Sequence, residues 1–386
     1  MTEMVKLGDV GSFVSGGTPS RKHPEYFEGT IPWVSTPVLN GGLIDESNAV
    51  QLITEEAIAN SATKLLPSRS LLIGIRVGIG KTAVNTVPMC TNQDIVAITD
   101  VDEMHWDIRY LSYAIQAKSA YLVSQKQGAT ITGITSKLLK SLEVKRFDTE
   151  TQRRRVSNLD SIRSRIDDCE SQLVKLEELV KSRFVEMFEP LFEHDVDDAY
   201  KLCDLAEIVS GITKGRKVAA GTPLREVPYM AVSNVKDGYI DWTRVKTIDA
   251  TEGEIERYRL KPCDVLMTEG GDPDKLGRGA LLHEPPNDCI HQNHVFRVRV
   301  QDERLRPEYF EYYLQSSKAK DYFFSCAKRT TGIATINKKQ ISSLPVIVPS
   351  IERQDAFISF VQQVDKLKFD DLLTIRKFGC ICCKYV

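Results

Sequence analysis

Residues 152–190 read QRRRVSNLDSIRSRIDDCESQLVKLEELVKSRFVEMFEP, and apolar side chains recur in them at Leu159, Ile162, Ile166, Cys169, Leu173, Leu176 and Val180. Steps of three and four in strict alternation form the seam of a coiled coil, and such a seam needs a partner helix. At ~1.5 Å per residue the helix from Gln152 to Phe188 is roughly 55 Å long. A helix of this kind is by itself only an association element, so the rest of the chain has to say what it connects.

Totals bound the answer without deciding it. A chain of 386 residues is long for a single core and suggests two domains and a connector. Lys+Arg at 51 nearly cancels Asp+Glu at 53, so any nucleic-acid surface must be local. No apolar run approaches the ~18 residues that span a bilayer, and MTEMVKLGDV lacks a signal-peptide core, which points to the cytoplasm and away from a membrane. Of the nine cysteines, Cys90, Cys169, Cys203, Cys263, Cys289 and Cys326 are scattered and read as free thiols. Cys380, Cys382 and Cys383 cluster at the end without a second ligand pair at finger spacing, so no metal is expected.

The chain repeats itself. KLGDV at 6–10 matches KLCDL at 201–205, and VSGGT at 14–18 matches VSGIT at 209–213. IPW at 31–33 lines up with VPY at 227–229, GLID at 42–45 with GYID at 238–241, and SLEV at 141–144 with SLPV at 343–346. Glu150 and Gln152 match Glu352 and Gln354, where each half enters a helix. Each half is therefore one domain and one helix. The runs LLIGIRV, DIVAI, DVLMT and HVFRVRV, cut by Gly and Pro, read as strands, with helices near 107–118 and 306–320. Phe357, Val361 and Val364 continue a seam in the second helix, so the partner of the first is expected in the same chain.

The fold class that follows is α+β: two duplicated mixed α/β domains separated by long antiparallel coiled-coil helices, with pseudo-twofold symmetry. Expected boundaries are 1–148, a helix over 149–190, a second domain over 191–349, a second helix over 350–378 and a Cys-rich tail over 379–386. Lys368 and Asp371 fall where a continued seam wants apolar residues, so the second helix reads as shortened or altered. A rigid spacer between two similar domains suits the reading of two sites at a fixed distance, as in pseudo-palindromic DNA readers.

These residues carry a family resemblance. KLGDVGSFVSGGTPSRKHPEYFEGTIPWVS at 6–35, ITGITSKLLKSLEVKRFDTETQRRRV at 131–156, SRFVEMF at 182–188 and TGIATINKKQISSLPVIVPSIERQ at 331–354 resemble the DNA-specificity subunit of type I restriction-modification systems. The resemblance implies two target-recognition domains, each reading half of a split double-stranded DNA site, and helices that set the spacing. It also implies two methyltransferase subunits as partners, with motor-nuclease subunits in the larger complex. No Gly-rich cofactor loop follows an early strand, and the residues give no reason to expect a catalytic group or a cofactor.

Other chemistries fit less well. GIRVGIGKT at 74–82 approaches a phosphate-binding loop, but the glycine that G-x-x-x-x-G-K-[ST] requires is Ile75, and Gly74 is one residue out of register. EPPND at 284–288 lacks the order of an amino-methyltransferase site, and Asp167/Asp168 and Asp197/Asp198 have no His at useful spacing. The alternatives to a DNA reader are a nucleotide-dependent DNA-processing enzyme using 74–82, or a coiled-coil scaffold with no DNA role. Candidate DNA contacts lie where basic, amide and hydroxyl residues share Gly-rich loops, since phosphates need charge and base edges need bidentate donors and acceptors. In the first half they are Thr18, Arg21, Lys22, Arg76, Lys81, Asn92, Gln93, Thr130 and Thr132. In the second they are Lys214, Arg216, Lys217, Ser233, Asn234, Arg278, Gln292, Asn293, His294, Arg329 and Thr331. Asn92-Gln93 and Gln292-Asn293 occupy equivalent places in the repeat.

Overall fold

The computed structural model describes residues 3–126, 132–194, 199–271, 276–330 and 333–385, with side chains left undescribed at 193–194, 271, 329–330, 333 and 379–385. The chain divides into two compact units, Met1–Ser171 with Asp371–Val386, and Gln172–Asp370. Among the described residues, no helix is long and apolar enough to cross a membrane, and no group of His, Cys, Asp and Glu is arranged to hold a metal.

In the first unit the apolar runs become strands: β1 (Ser12–Ser15), β2 (Ile31–Val34), β3 (Leu43–Ile44), β4 (Gln51–Ile53), β5 (Leu71–Gly74), β6 (Thr82–Asn85), β7 (Cys90–Thr91) and β8 (Ile95–Thr99). They form one sheet of order β1-β8-β5-β6-β3 and a second of order β4-β2-β7. Both faces of β5 and β8 are buried, which is why LLIG and IVAIT are unbroken apolar runs rather than alternating ones. Helix α1 (Ile108–Gln116) is capped by the Asp107 carboxylate and covers the sheet with Tyr110, Leu111 and Ile115. A ribbon of Glu3–Lys6 with Glu143–Arg146 closes the domain and leads into α2 (Thr149–His194).

The second unit repeats this plan. Strands β9 (Ala206–Ser210), β10 (Arg225–Met230), β11 (Lys246–Ala250), β12 (Val265–Thr268), β13 (Gly279–Leu281), β14 (Ile290–His291) and β15 (Val295–Val300) form sheets of order β9-β15-β12-β13 and β11-β10-β14. Trp33 and Val34 pair in parallel with Cys90 and Thr91; Tyr229 and Met230 pair in the same way with Ile290 and His291. Helix α3 (Pro307–Gln315) takes the place of α1, and α4 (Ile351–Tyr385) that of α2.

One residue in each half locks domain to helix. The Gln152 side chain is fully buried; its oxygen accepts from Asp107 N at 2.9 Å, and its amide donates to the carbonyls of His105 (2.9 Å) and Phe147 (2.7 Å). Gln354, equally buried, accepts from Arg306 N at 2.8 Å and donates to Arg304 O and Pro349 O at 2.8 Å each. Both glutamines thus tie the N-cap of the domain helix to the entry of the long one. Tyr110 and Tyr309 add matching bonds from their hydroxyls to Lys145 O and Ile347 O.

Within each unit the long helices run antiparallel. In the first, the Arg165 guanidinium lies 5.8 Å from the Phe378 ring, and burial, helped by the adjacent Asp371 carboxylate, pushes the Cys169 thiol up. In the second, Arg183 lies over Phe360 at 6.0 Å, while Phe188 meets Phe357 edge-on at 5.5 Å. Ile162, Ile166, Cys169, Leu173 and Leu176 are half-buried, and Val180, Phe357, Val361 and Val364 belong to the core of the second unit. Leu159 departs from the expected seam: it is fully buried in the first domain's core with Val156, so the helix-facing seam starts at Ile162. Lys368 sits at its seam position paired with Asp365 at 3.4 Å. The helix continues to Tyr385, so residues 379–385, read from sequence as a tail, are helical.

Candidate nucleic-acid interface

The first half gathers its candidates where three backbone segments meet. Leaving β1, Gly16 N donates to Ile95 O (3.1 Å) and Gly17 N to Thr91 O (2.8 Å), which lays the loop 16–22 against the turn 92–94. Gly16 leaves no room for a side chain, since a Cβ there would stand 2.1 Å from Asn92 O. The Thr18 hydroxyl donates to the Gln93 side-chain carbonyl oxygen, and Ile134 N donates to Ile75 O (2.8 Å), which lays Gly133, next to Thr132, against Arg76. Arg76 pairs loosely with Asp94 at 3.5 Å. Thr18, Arg76, Gln93 and Thr132 are exposed on this rim, as are Arg21 and Lys22 in the loop.

Asn92 and Lys81 have other placements. Asn92 is 9 % exposed and accepts from Asp94 N at 3.2 Å, so it shapes the turn that offers Gln93. Lys81 lies in a separate cleft with Gln116 and Arg163. In the loop around it, Gly74 N donates to Lys81 O, Gly80 N to Gly74 O and Lys81 N to Gly78 O. These amides close a turn between β5 and β6 on themselves, the opposite of a phosphate cradle, whose N–H groups point at the ligand.

In the second half Ile212 N donates to His291 O (2.8 Å), Asn293 N to Ile212 O (3.0 Å) and Gln292 N to Met230 O (2.9 Å), as Asn92 N does to Val34 O (3.0 Å). A Cβ on Gly211 would stand 1.9 Å from His291 O, the same close approach as at Gly16. The turn 292–294 therefore occupies the position of 92–94. Gln292 accepts from Val232 N at 3.4 Å, Arg278 donates to Val232 O at 3.5 Å, and His294 meets the Glu269 carboxylate. Ile336 N donates to Glu269 O (2.7 Å), the counterpart of Ile134 to Ile75, and brings in the hairpin of Lys328–Thr330 and Ile333–Thr335 that carries Arg329. Thr130 and Thr331 lie outside the described residues.

Two second-half candidates are occupied by architecture. The Arg216 guanidinium grips the Glu254 carboxylate, holding it down to about 2, and donates to Asp249 O at 3.0 Å. Asn234 is 2 % exposed; it accepts from Ala231 N and donates to Asp241 O and Arg244 O. Lys214, Lys217 and Ser233 are exposed beside them. Sequence reasoning missed the carboxylates of Asp94 and Glu269 inside the rims; each anchors a cationic or imidazole side chain, and a carboxylate is also an acceptor for cytosine N4. Asn234→Ala is expected to cost about 2 kcal/mol of stability through three lost partners, with DNA affinity kept below the melting temperature. Gln93→Ala is expected to do the reverse; thermal melts paired with binding curves check both.

The rim is thus built twice on equivalent hydrogen bonds, each copy presenting a side-chain amide amid basic side chains. The sequence profile of the type I restriction modification DNA specificity domain matches residues 2–178 and again 198–374. The chain belongs to this family and carries its domain twice; its part in such a system is DNA-sequence specificity.

The type I restriction enzyme EcoR124I/EcoR124II specificity subunit of Escherichia coli is 33 % identical over 165 residues, 41 % of this chain and 40 % of that one. The MjaIX specificity subunit of Methanocaldococcus jannaschii is 25 % identical over 391 residues, 93 % of this chain and 86 % of that one. In fold, the chain is similar to the S subunit of a type I system from M. genitalium, with TM-score 0.52 at 13 % identity, covering 100 % of this chain and 95 % of that one. A chain solved in work on complex assembly and conformational transition of the type I R-M system gives TM-score 0.60 at 15 % identity, covering 100 % and 96 %.

Proposed function

We propose that each domain reads one half of a split duplex target, and that the long helices fix the unread spacer and dock two methyltransferase subunits. Motor-nuclease subunits join the larger complex. Catalysis then belongs to the partners, and the chain works in the cytoplasm, where such a system meets cellular DNA. The observation that carries this reading is the matched pair of turns, 92–94 and 292–294, held by equivalent backbone bonds. The two amides sit at different positions of their turns, Gln93 at the second and Gln292 at the first; Gln93 has its oxygen engaged by Thr18 and Gln292 by Val232 N, and a carbonyl oxygen keeps a second lone pair while the amide N–H groups stay available. That is what bidentate reading of adenine needs. Arg76, Arg278 and the exposed lysines supply phosphate contacts, whose affinity falls with salt.

Energy favours two readers over one. At ~1–3 kcal/mol per mismatched pair, a half-site of three or four pairs discriminates by roughly 5 kcal/mol, and two together approach the top of the ~4–10 kcal/mol range of specific binding. Exchanging residues 1–148 for the corresponding domain of a relative is expected to change one half of the methylated sequence and leave the other intact. Mapping methylated sites in cells that carry the chain with its methyltransferase reads this directly. A change in both halves at once would rule out independent reading, and methyl transfer by the isolated chain would rule out the division of labour.

A further inference from the structure

The glutamine clamps put the two halves in residue-by-residue register along the edge where domain meets long helix. Counting from the clamped N-caps Asp107 and Arg306, Arg109 corresponds to Glu308; counting from Gln152 and Gln354, Arg163 corresponds to Asp365. Gly41 N bonds to Thr82 O and Gly238 N to Gly279 O, which fixes the facing strand in the same register. The cleft at this edge has opposite charge in the two halves. In the first unit two adjoining clefts that share Arg163 hold Lys81, Arg109 and Arg163 against Asp160 and Asp167, a basic excess, with Asp160 taken by Arg109 at 2.7 Å. In the second it is a cavity of about 1030 Å³ lined by Glu308, Glu311 and Asp365.

Two exposed aromatic side chains, Trp242 (40 % exposed) and Tyr239 (60 % exposed), wall the acidic cleft. Exposed aromatics beside a concave surface mark an interaction site. Carboxylates turn away a DNA phosphate and attract a cation, and among cations a planar guanidinium stacks on indole and phenol rings while it pairs with carboxylates. Burial pushes the Glu311 carboxyl up to about 7, with Glu308 and Asp365 adding to the effect; one of its oxygens accepts from Leu281 N at 2.8 Å. Among the described residues that line it, the cation is Lys368, 3.4 Å from Asp365.

We propose that this cleft of the second half is a docking site for an arginine-bearing segment of a partner protein, and that the first half has no counterpart. Two identical partner subunits then cannot engage both halves alike through this edge, so the duplicated chain has a polarity that its fold alone does not give. Docking at this cleft needs no DNA and is measured without it.

Of the three tryptophans, Trp33 and Trp106 are 5 % and 4 % exposed, so Trp242 reports on the cleft. The full chain is titrated with the peptide acetyl-Gly-Arg-Gly-Arg-Gly-amide and with its citrulline counterpart, which is neutral and of the same shape. A saturable change in emission is expected with the arginine peptide, weakened roughly 5- to 10-fold with citrulline or in the Glu308→Gln, Asp365→Asn double variant. Lys368→Met, which removes the competing ammonium, is expected to tighten binding, and Trp242→Phe to abolish the signal. Asp365 has a 58 % exposed side chain, so the double variant is expected to fold. Equal binding of the citrulline peptide, unchanged affinity in the double variant, a response that survives Trp242→Phe, or no saturable response would each overturn the proposal.

Discussion

Gln354→Leu is expected to destabilise the chain by about 4 kcal/mol, although it swaps one buried side chain for another of similar size. The substitution strands Arg306 N and the carbonyls of Arg304 and Pro349, all of which the glutamine satisfies. Each buried polar group left unmatched costs ~1–3 kcal/mol. Gln152→Leu strands Asp107 N and the carbonyls of His105 and Phe147 and is expected to cost as much. Denaturant midpoints of the two variants check both the size and the equality. A loss below ~1 kcal/mol in either would mean that water takes over the glutamine's bonds.

Phe188→Ala is expected to cost about 4 kcal/mol by opening a cavity that its neighbours cannot fill. Phe188 is fully buried, with ring centroids of Tyr309 at 4.9 Å, Phe184 at 5.0 Å and Phe357 at 5.5 Å, so helices α2, α3 and α4 all lean on it. Val185, one turn back and 46 % exposed, supplies the contrast: its replacement by Ala stays within ~0.5 kcal/mol. Equilibrium unfolding of both variants separates a helix held by this aromatic cluster from one held by its heptad pattern alone.

Much of the architecture was legible because duplication shows as identity at a fixed offset. The runs at 71–77 and 294–300 hold the central strands Leu71–Gly74 and Val295–Val300, with 75–77 turning away after the first, and the aligned Gln152 and Gln354 proved to be the same clamp made twice. The limits are physical. Spacing tells which residues share a helix face, not what covers it, so Leu159 looked like seam and lies in a domain core. A side-chain amide has the same donor and acceptor whether it reads a base or closes a turn, and burial is what separates exposed Gln93 from buried Asn234. An arginine reads as a phosphate contact until its carboxylate is found, as Glu254 is for Arg216. Lys81 shares a loop with Arg76 yet belongs to a different cleft.

The close backbone approach at Gly16 and Gly211 bears on how such a reader is re-targeted. Each glycine stands beside the turn that presents the candidate amide, and any larger residue there collides with a main-chain oxygen that has nowhere to go. In a mutational library built to give this chain new DNA preferences, positions 18, 21, 22 and 93 carry exposed side chains with room to vary. Position 16 admits one. New specificity is therefore sampled around a fixed pivot, and clones that lose that glycine are expected to drop out for failing to fold, whatever bases their loops suit.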